Sequence, residues 1–176
     1  MRILPATVED AEALSDLQLD AWEEAYADLL PASVFAARRA ARAARVERWH
    51  DIISAGSSAN LLAWSPDGRL VGFSSTGPGR DSPDDTQRDG RPPLELPALE
   101  LMALYVRATA YGSGVGFALL QAAIGAAEAY LWVLDGNERA IRFYERQGFR
   151  FNGAAKPDDV GLERRMVRRS TEPRGC

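Results

Sequence analysis

Cysteine, histidine and lysine each occur once in the 176 residues, as Cys176, His50 and Lys156. A single cysteine cannot close an internal disulfide, which suits a reducing compartment. One cysteine and one histidine cannot build a Cys/His metal site, so no metal is expected. A Ser-His-Asp mechanism would have to use His50. That residue sits in the charged run Arg48-Trp49-His50-Asp51 and reads as a surface or helix-end residue. No apolar run approaches membrane-spanning length, and the N-terminal stretch has no apolar signal-peptide segment, so a cytoplasmic protein with no membrane partner is expected. Net charge is -4, which gives no general attraction to nucleic acid. Arg38, Arg39, Arg42, Arg45 and Arg48 form a basic run that reads as a solvated helix face.

What is present is ordinary for a globular protein: 46% hydrophobic and 26% charged residues. The length supports one core, hence one domain over residues 1–168 with a frayed tail at 169–176. Arg2 to Pro5 reads as a first strand. Thr7 with Asp10 reads as an N-cap with an acidic residue three positions on. Ala11, Leu14, Leu17, Ala21, Trp22, Ala25 and Leu29 follow at helical spacing. Pro31 ends that helix or starts a second, Val34 to Ile53. Leu61 to Trp64 and Leu70 to Ser74 flank the turn Ser65-Pro66-Asp67-Gly68 and read as a hairpin. Gly77 to Pro93 reads as one long mobile loop, either a lid or a passive connection. Later elements are a strand at Tyr130 to Leu134, a helix from Asn137 to Gln147 stopped by Gly148, a strand beginning at Phe149-Arg150-Phe151, and a last strand at Leu162 to Val167. This order gives a mixed α/β sheet.

The stretch Leu99 to Gln121 organises the chain. Leu99 to Val106 is apolar except for Glu100 and reads as a buried strand. Gly112-Ser113-Gly114-Val115-Gly116 then runs into a helix starting near Phe117. Glycines at a strand-to-helix bend let backbone approach a ligand, and a helix's first turn offers unpaired N–H groups. Together they suit a phosphate or pyrophosphate. A dinucleotide fingerprint needs a different glycine spacing, early in a βαβ unit.

These residues resemble the GNAT superfamily of N-acetyltransferases. One likeness is Leu104-Tyr105-Val106 followed by YGSGVGFALL, similar to the acetyl-CoA signature Arg/Gln-x-x-Gly-x-Gly/Ala. The other is Leu131 to Phe149, LWVLDGNERAIRFYERQGF, similar to the family's strand-Asn-helix ending in Gly-Phe. The resemblance implies a mostly antiparallel mixed sheet of about seven strands flanked by about four helices. It implies acetyl-CoA as co-substrate and a small-molecule or peptide amine as acceptor, with a homodimer among the expected states. Tyr111 stands where the family usually has Arg or Gln, and Arg107 is a candidate to compensate.

By this resemblance, Leu104, Tyr105 and Val106 would pair with the pantetheine, and an N–H near Leu104 would meet the oxyanion. Tyr111, Gly112, Ser113, Gly114, Val115, Gly116 and Phe117 would hold the pyrophosphate. Asn137 would bond the pantetheine, and Phe143 would wall the cofactor. Glu100 is the candidate general base. It lies six positions before Val106, as in histone-modifying members, and alternation puts it on the face of Met102, Leu104 and Val106. Burial would raise its pKa. The bland alternative is a structural ion pair. Tyr144 is the candidate acid for the leaving thiolate, or else a core aromatic. Trp22 and Tyr26, four apart on one helix, either line the acceptor pocket or pack in the core. A non-catalytic acyl-CoA-binding or interaction module of the same fold is the rival to an acetyltransferase.

Overall fold

The computed structural model describes residues 1–81, 95–158 and 160–170. Its elements in chain order are β1 (Arg2–Pro5), α1 (Ala11–Tyr26), α2 (Ala32–Ala40), α3 (Arg42–Ala55), β2 (Ala59–Trp64), β3 (Leu70–Pro78), β4 (Leu99–Val106), α4 (Val115–Ile124), β5 (Ala129–Leu134), α5 (Glu138–Arg146), β6 (Arg150–Asp158) and β7 (Gly161–Arg168). The seven strands form one mixed sheet in the order β1-β2-β3-β4-β5-β7-β6. The β1–β2, β2–β3, β5–β7 and β6–β7 ladders are antiparallel, and β4–β5 is parallel. This is the expected mixed fold.

Two expected boundaries move. The single helix Val34 to Ile53 is two helices that meet at Ala41, whose ψ of 15° leaves the helical range. On either side of the break the chain is tied to α1: Arg39 bonds Asp20 and Glu23, and Arg42 bonds Glu12 and Asp16. Part of the basic run is therefore neutralised by α1 rather than merely solvated. The loop expected from Gly77 also starts later, because β3 continues to Pro78 and the Gly79 N–H bonds the Ala98 carbonyl at 2.8 Å. Residues 82–93 of that loop, and 171–176 of the expected tail, lie outside the described residues. Ser170 donates from its N–H and hydroxyl to Glu128.

The chain divides into two compact units. The first comprises residues 1–77 and 102–125. Here Leu14, Leu17, Trp49, Leu62 and Phe73 form a core to which Ala103 and Tyr105 of β4 contribute. Phe73 sits edge-on to Trp49 at 5.5 Å and stacks on Tyr105 at 5.7 Å. Ala63, Val115 and Leu119 form a second cluster, joined by Leu104 and Val106. Alternation thus sends neighbouring β4 residues to α3 and to α4.

The second unit comprises residues 78–101 and 126–176, of which 82–94, 159 and 171–176 are not described. Leu131 pairs with Met166 and Trp132 with Arg165. Leu131 and Met166 therefore share one face of this sheet, while Tyr130, Trp132 and Arg165 share the other. Asn137 caps α5 as expected, its Oδ1 accepting from the Ala140 N–H at 3.2 Å, and Gly148 stops the helix at φ 87°.

Gly72 packs directly against backbone in the first unit. A Cβ there would lie 2.9 Å from the Tyr105 carbonyl oxygen and 3.1 Å from Leu119 Cδ1. Backbone cannot yield as a side-chain tip can. Gly72→Ala is expected to cost about 1–3 kcal/mol in urea denaturation; unchanged stability would contradict this packing.

Candidate active site

In the first unit, the chain leaves β4 through a short 3-10 turn at Ala108–Ala110 and bends through Tyr111 to Gly114 before α4. Gly112 and Gly114 hold φ of 73° and 88°, and a Cβ on either would meet nothing within 4 Å. The backbone there is open to a ligand. The first helical bond is Ala118 N–H to Gly114 carbonyl at 3.0 Å, so the N–H groups of Val115, Gly116 and Phe117 have no acceptor within the helix. The Ser113 N–H and hydroxyl both turn back to the Ala110 carbonyl. Tyr111 and Phe117 are 37% and 51% exposed.

Arg107 does not reach toward this bend. Its Nε and Nη2 donate to Glu24 and its Nη1 pairs with Asp20, at 2.8–3.1 Å, while Glu24 also accepts from the Ala108 N–H. These α1 carboxylates hold the turn after β4. On α1 itself, Trp22 and Tyr26 are buried, 5.1 Å apart, with Phe35 and the Arg38 guanidinium packed on Trp22.

In the second unit, Glu100 faces Tyr130 as the one register pair of the β4–β5 ladder. Its side chain is 2% exposed. Oε1 accepts from Arg80 Nη2 at 2.6 Å; Oε2 accepts from Arg80 Nε at 2.9 Å, the Arg80 N–H at 3.1 Å and the Tyr130 hydroxyl at 3.1 Å. Burial alone would raise its pKa, as expected. The bidentate guanidinium and the two further donors outweigh that desolvation, and the carboxyl is held below its ordinary range. Glu100 is therefore ionised at neutral pH. Burial holds the Tyr130 phenol above its usual range, so it is a neutral donor.

Asp81 extends this cluster. Both its oxygens accept from Trp132 Nε1, at 3.0 and 3.2 Å, and Oδ2 pairs with Arg165 Nη1 at 2.6 Å. Arg165 is fully buried, and its Nε and Nη2 have no acceptor among the described residues. Its guanidinium lies 5.2 Å from the Trp132 ring, a partial substitute for a hydrogen-bond partner. The consecutive Arg80 and Asp81 thus fasten the segment after β3 to β4, β5 and β7. On α5, Tyr144 is buried with its ring against Phe143 and Phe149, and Asn137 is 7% exposed.

Composition and spacing pointed to Glu100 but not to Arg80, Asp81, Tyr130 or Arg165. Arg80 and Asp81 fall in an aperiodic stretch, and Tyr130 opens an apolar run. Arg165 stands between Arg164 and Met166 in Leu162 to Val167, and alternation sets it on the face opposite Met166 without showing that this face is buried there.

Residues 12–149 match the model of the Acetyltransferase (GNAT) family. No curated protein matches the chain. Among solved structures, PaiA N-acetyltransferase from Thermoplasma acidophilum in complex with coenzyme A is 19% identical, covers 96% of this chain and 99% of its own, and gives a TM-score of 0.68. A "histone acetyltransferase HPA2 and related acetyltransferase" from Corynebacterium glutamicum is 24% identical over 98% of both chains, with a TM-score of 0.67. Phosphinothricin acetyltransferase from Sinorhizobium meliloti, in complex with AcCoA, is 15% identical over 95% of this chain and 86% of its own, with a TM-score of 0.61. These likenesses establish the fold. No described helix is long and apolar enough to cross a membrane.

Because folding lowers the Glu100 pKa, its contribution to stability is complete above the unfolded value and is lost as pH falls through the folded one. Arg80→Gln leaves this carboxylate short of its main partner. The variant is expected to lose about 1–3 kcal/mol at pH 7 by urea denaturation, and the gap should narrow below pH ~4. Equal stability at pH 7 would contradict the assignment.

Proposed function

The chain belongs to the Acetyltransferase (GNAT) family, and from that premise we propose that it transfers an acetyl group from acetyl-CoA to a primary amine, by direct attack in a ternary complex. One observation carries the reading: Gly112 and Gly114 turn open backbone outward ahead of the N–H groups that start α4 without an acceptor in the helix. That arrangement fits a diphosphate, which the helix N-terminus attracts. The CoA and AcCoA bound in two structural neighbours support the choice of donor. The departure at Tyr111 is tolerable if backbone rather than side chain does the holding. Arg107, occupied by Asp20 and Glu24, is not assigned to phosphate.

Acetyl-CoA supplies an activated acetyl thioester. The chain's tasks are to hold it, accept a proton from the amine and return one to sulfur. Backbone at Leu104, Tyr105 and Val106 is assigned to the pantetheine, with a donor near Leu104 for the oxyanion; such a donor contributes ~3 kcal/mol of barrier lowering. Asn137 and Phe143 are assigned to the pantetheine arm. Glu100, ionised, takes the amine proton, leaving the nitrogen lone pair to bond the acetyl carbon as the carbon–sulfur bond breaks. Tyr144 gives its hydroxyl proton to the departing thiolate, and solvent restores it. Asn137 caps the start of α5 and Tyr144 lies near its other end.

The test is acetyl-CoA turnover, read as thiol release, against a panel of polyamines, amino acids, aminoglycosides and peptide N-termini. Tyr144→Phe should keep CoA affinity and lose at least tenfold in kcat; Glu100→Gln should lose ~100-fold or more. Wild-type kcat in either variant removes that residue's role. CoA binding without turnover on any amine would leave the rival reading, a non-catalytic acyl-CoA-binding module.

A further inference from the structure

Both oxygens of Glu100 are engaged, and the carboxylate is almost completely covered. A direct proton transfer requires the amine nitrogen within ~3.2 Å of one of them. The group standing there is the Arg80 guanidinium. The two ends of this pair differ sharply in exposure: the Glu100 side chain is 2% exposed and that of Arg80 is 62% exposed. Among the described residues, the guanidinium has no acceptor other than Glu100. The Arg80 backbone is held separately, its N–H reaching the Tyr130 hydroxyl at 2.8 Å and Glu100 Oε2 at 3.1 Å. Next to it, Asp81 is fixed by Trp132 and Arg165. The side chain can therefore swing outward while residues 80 and 81 stay anchored.

We propose that Arg80 is a displaceable cover on Glu100, and that the ammonium of a cationic acceptor takes the guanidinium's place before acetyl transfer. The inference rests on the proposed use of Glu100 as base. An exchange of one cation for another keeps the buried carboxylate paired throughout, whereas a neutral acceptor such as an alcohol would leave it bare. Once seated, the ammonium passes one proton to a Glu100 oxygen. The nitrogen keeps its lone pair, the carboxylic acid formed is neutral, and the second proton leaves the nitrogen for solvent as the carbon–sulfur bond breaks, balancing the one that Tyr144 gives to sulfur and solvent restores. Tyr130 remains in place as the second donor to Oε2. Arg80 thus selects acceptors by charge, as a positioning and specificity residue that need not touch the reacting atoms. While it covers Glu100, acceptor affinity is reduced by the fraction of molecules that are uncovered.

Two measurements test this. With the panel amine that turns over fastest, Arg80→Ala and Arg80→Gln should lower its KM at least threefold, while Arg80→Lys, which keeps a cationic cover, should stay near wild type. Independently of turnover, a water-soluble carbodiimide with glycine amide should label Glu100 at least tenfold faster in Arg80→Ala than in wild type, read by peptide mass. An unchanged or raised KM in the uncovered variants, or an unchanged labelling rate, overturns the proposal. A fully active Glu100→Gln enzyme would instead remove the base reading beneath it, and the labelling arm would still report whether Arg80 covers the carboxylate.

Discussion

A carboxylate shut away from water must be answered by a cation or give up its charge, and Glu100 is answered by Arg80. The register pair of β4 and β5 puts Glu100, the strand's only charge, beside Tyr130. Desolvation of an ion without a partner would cost several kcal/mol. The sequence around it is arranged accordingly: Arg80 supplies two donors, its own N–H a third, and Tyr130 a fourth. Asp81 then becomes a partner for the buried Arg165, so the second unit carries two linked ion pairs instead of one isolated charge. The paired state has a consequence for chemistry. It guarantees ionisation at neutral pH, as a proton acceptor requires, and it also weakens the base and blocks it, which is why a cover that can leave matters.

The first unit meets a different requirement with backbone alone. A diphosphate needs several N–H donors converging on it and no side chain in the way. Positive φ at Gly112 and Gly114 provides the bend, and the start of α4 provides the donors. Glu24 and Asp20, by holding Arg107 and the Ala108 N–H, anchor the turn that leads into this bend. The basic character of α2 and α3 is likewise directed inward to α1 at Arg39 and Arg42.

Much of the fold could be read from the chain. Strands with strong apolar runs, the Asn137 cap and the Gly148 stop fall where local chemistry puts them, because those signals act within one or two turns of backbone. The split at Ala41 was illegible, since alanine and arginine favour helix on both sides and the break coincides with distant pairings to α1. Glu100 was legible as a lone charge in an apolar strand, and the glycine bend as an anion cradle. The sign of the Glu100 pKa was not, because it depends on Arg80, 20 positions away in a stretch with no periodicity. Arg165 was hidden for the same reason: its partner Asp81 lies 84 positions earlier.

The state of the Glu100 carboxyl is the claim on which the rest depends. A carbon-13 NMR titration of glutamate side-chain carboxyls, with the Glu100 signal assigned by its loss in Glu100→Gln, measures it directly. The midpoint in the wild type should fall below the ordinary glutamate range, near 4.3, and should rise above it in Arg80→Gln. A wild-type midpoint at or above that range, or one indifferent to Arg80, would contradict the account.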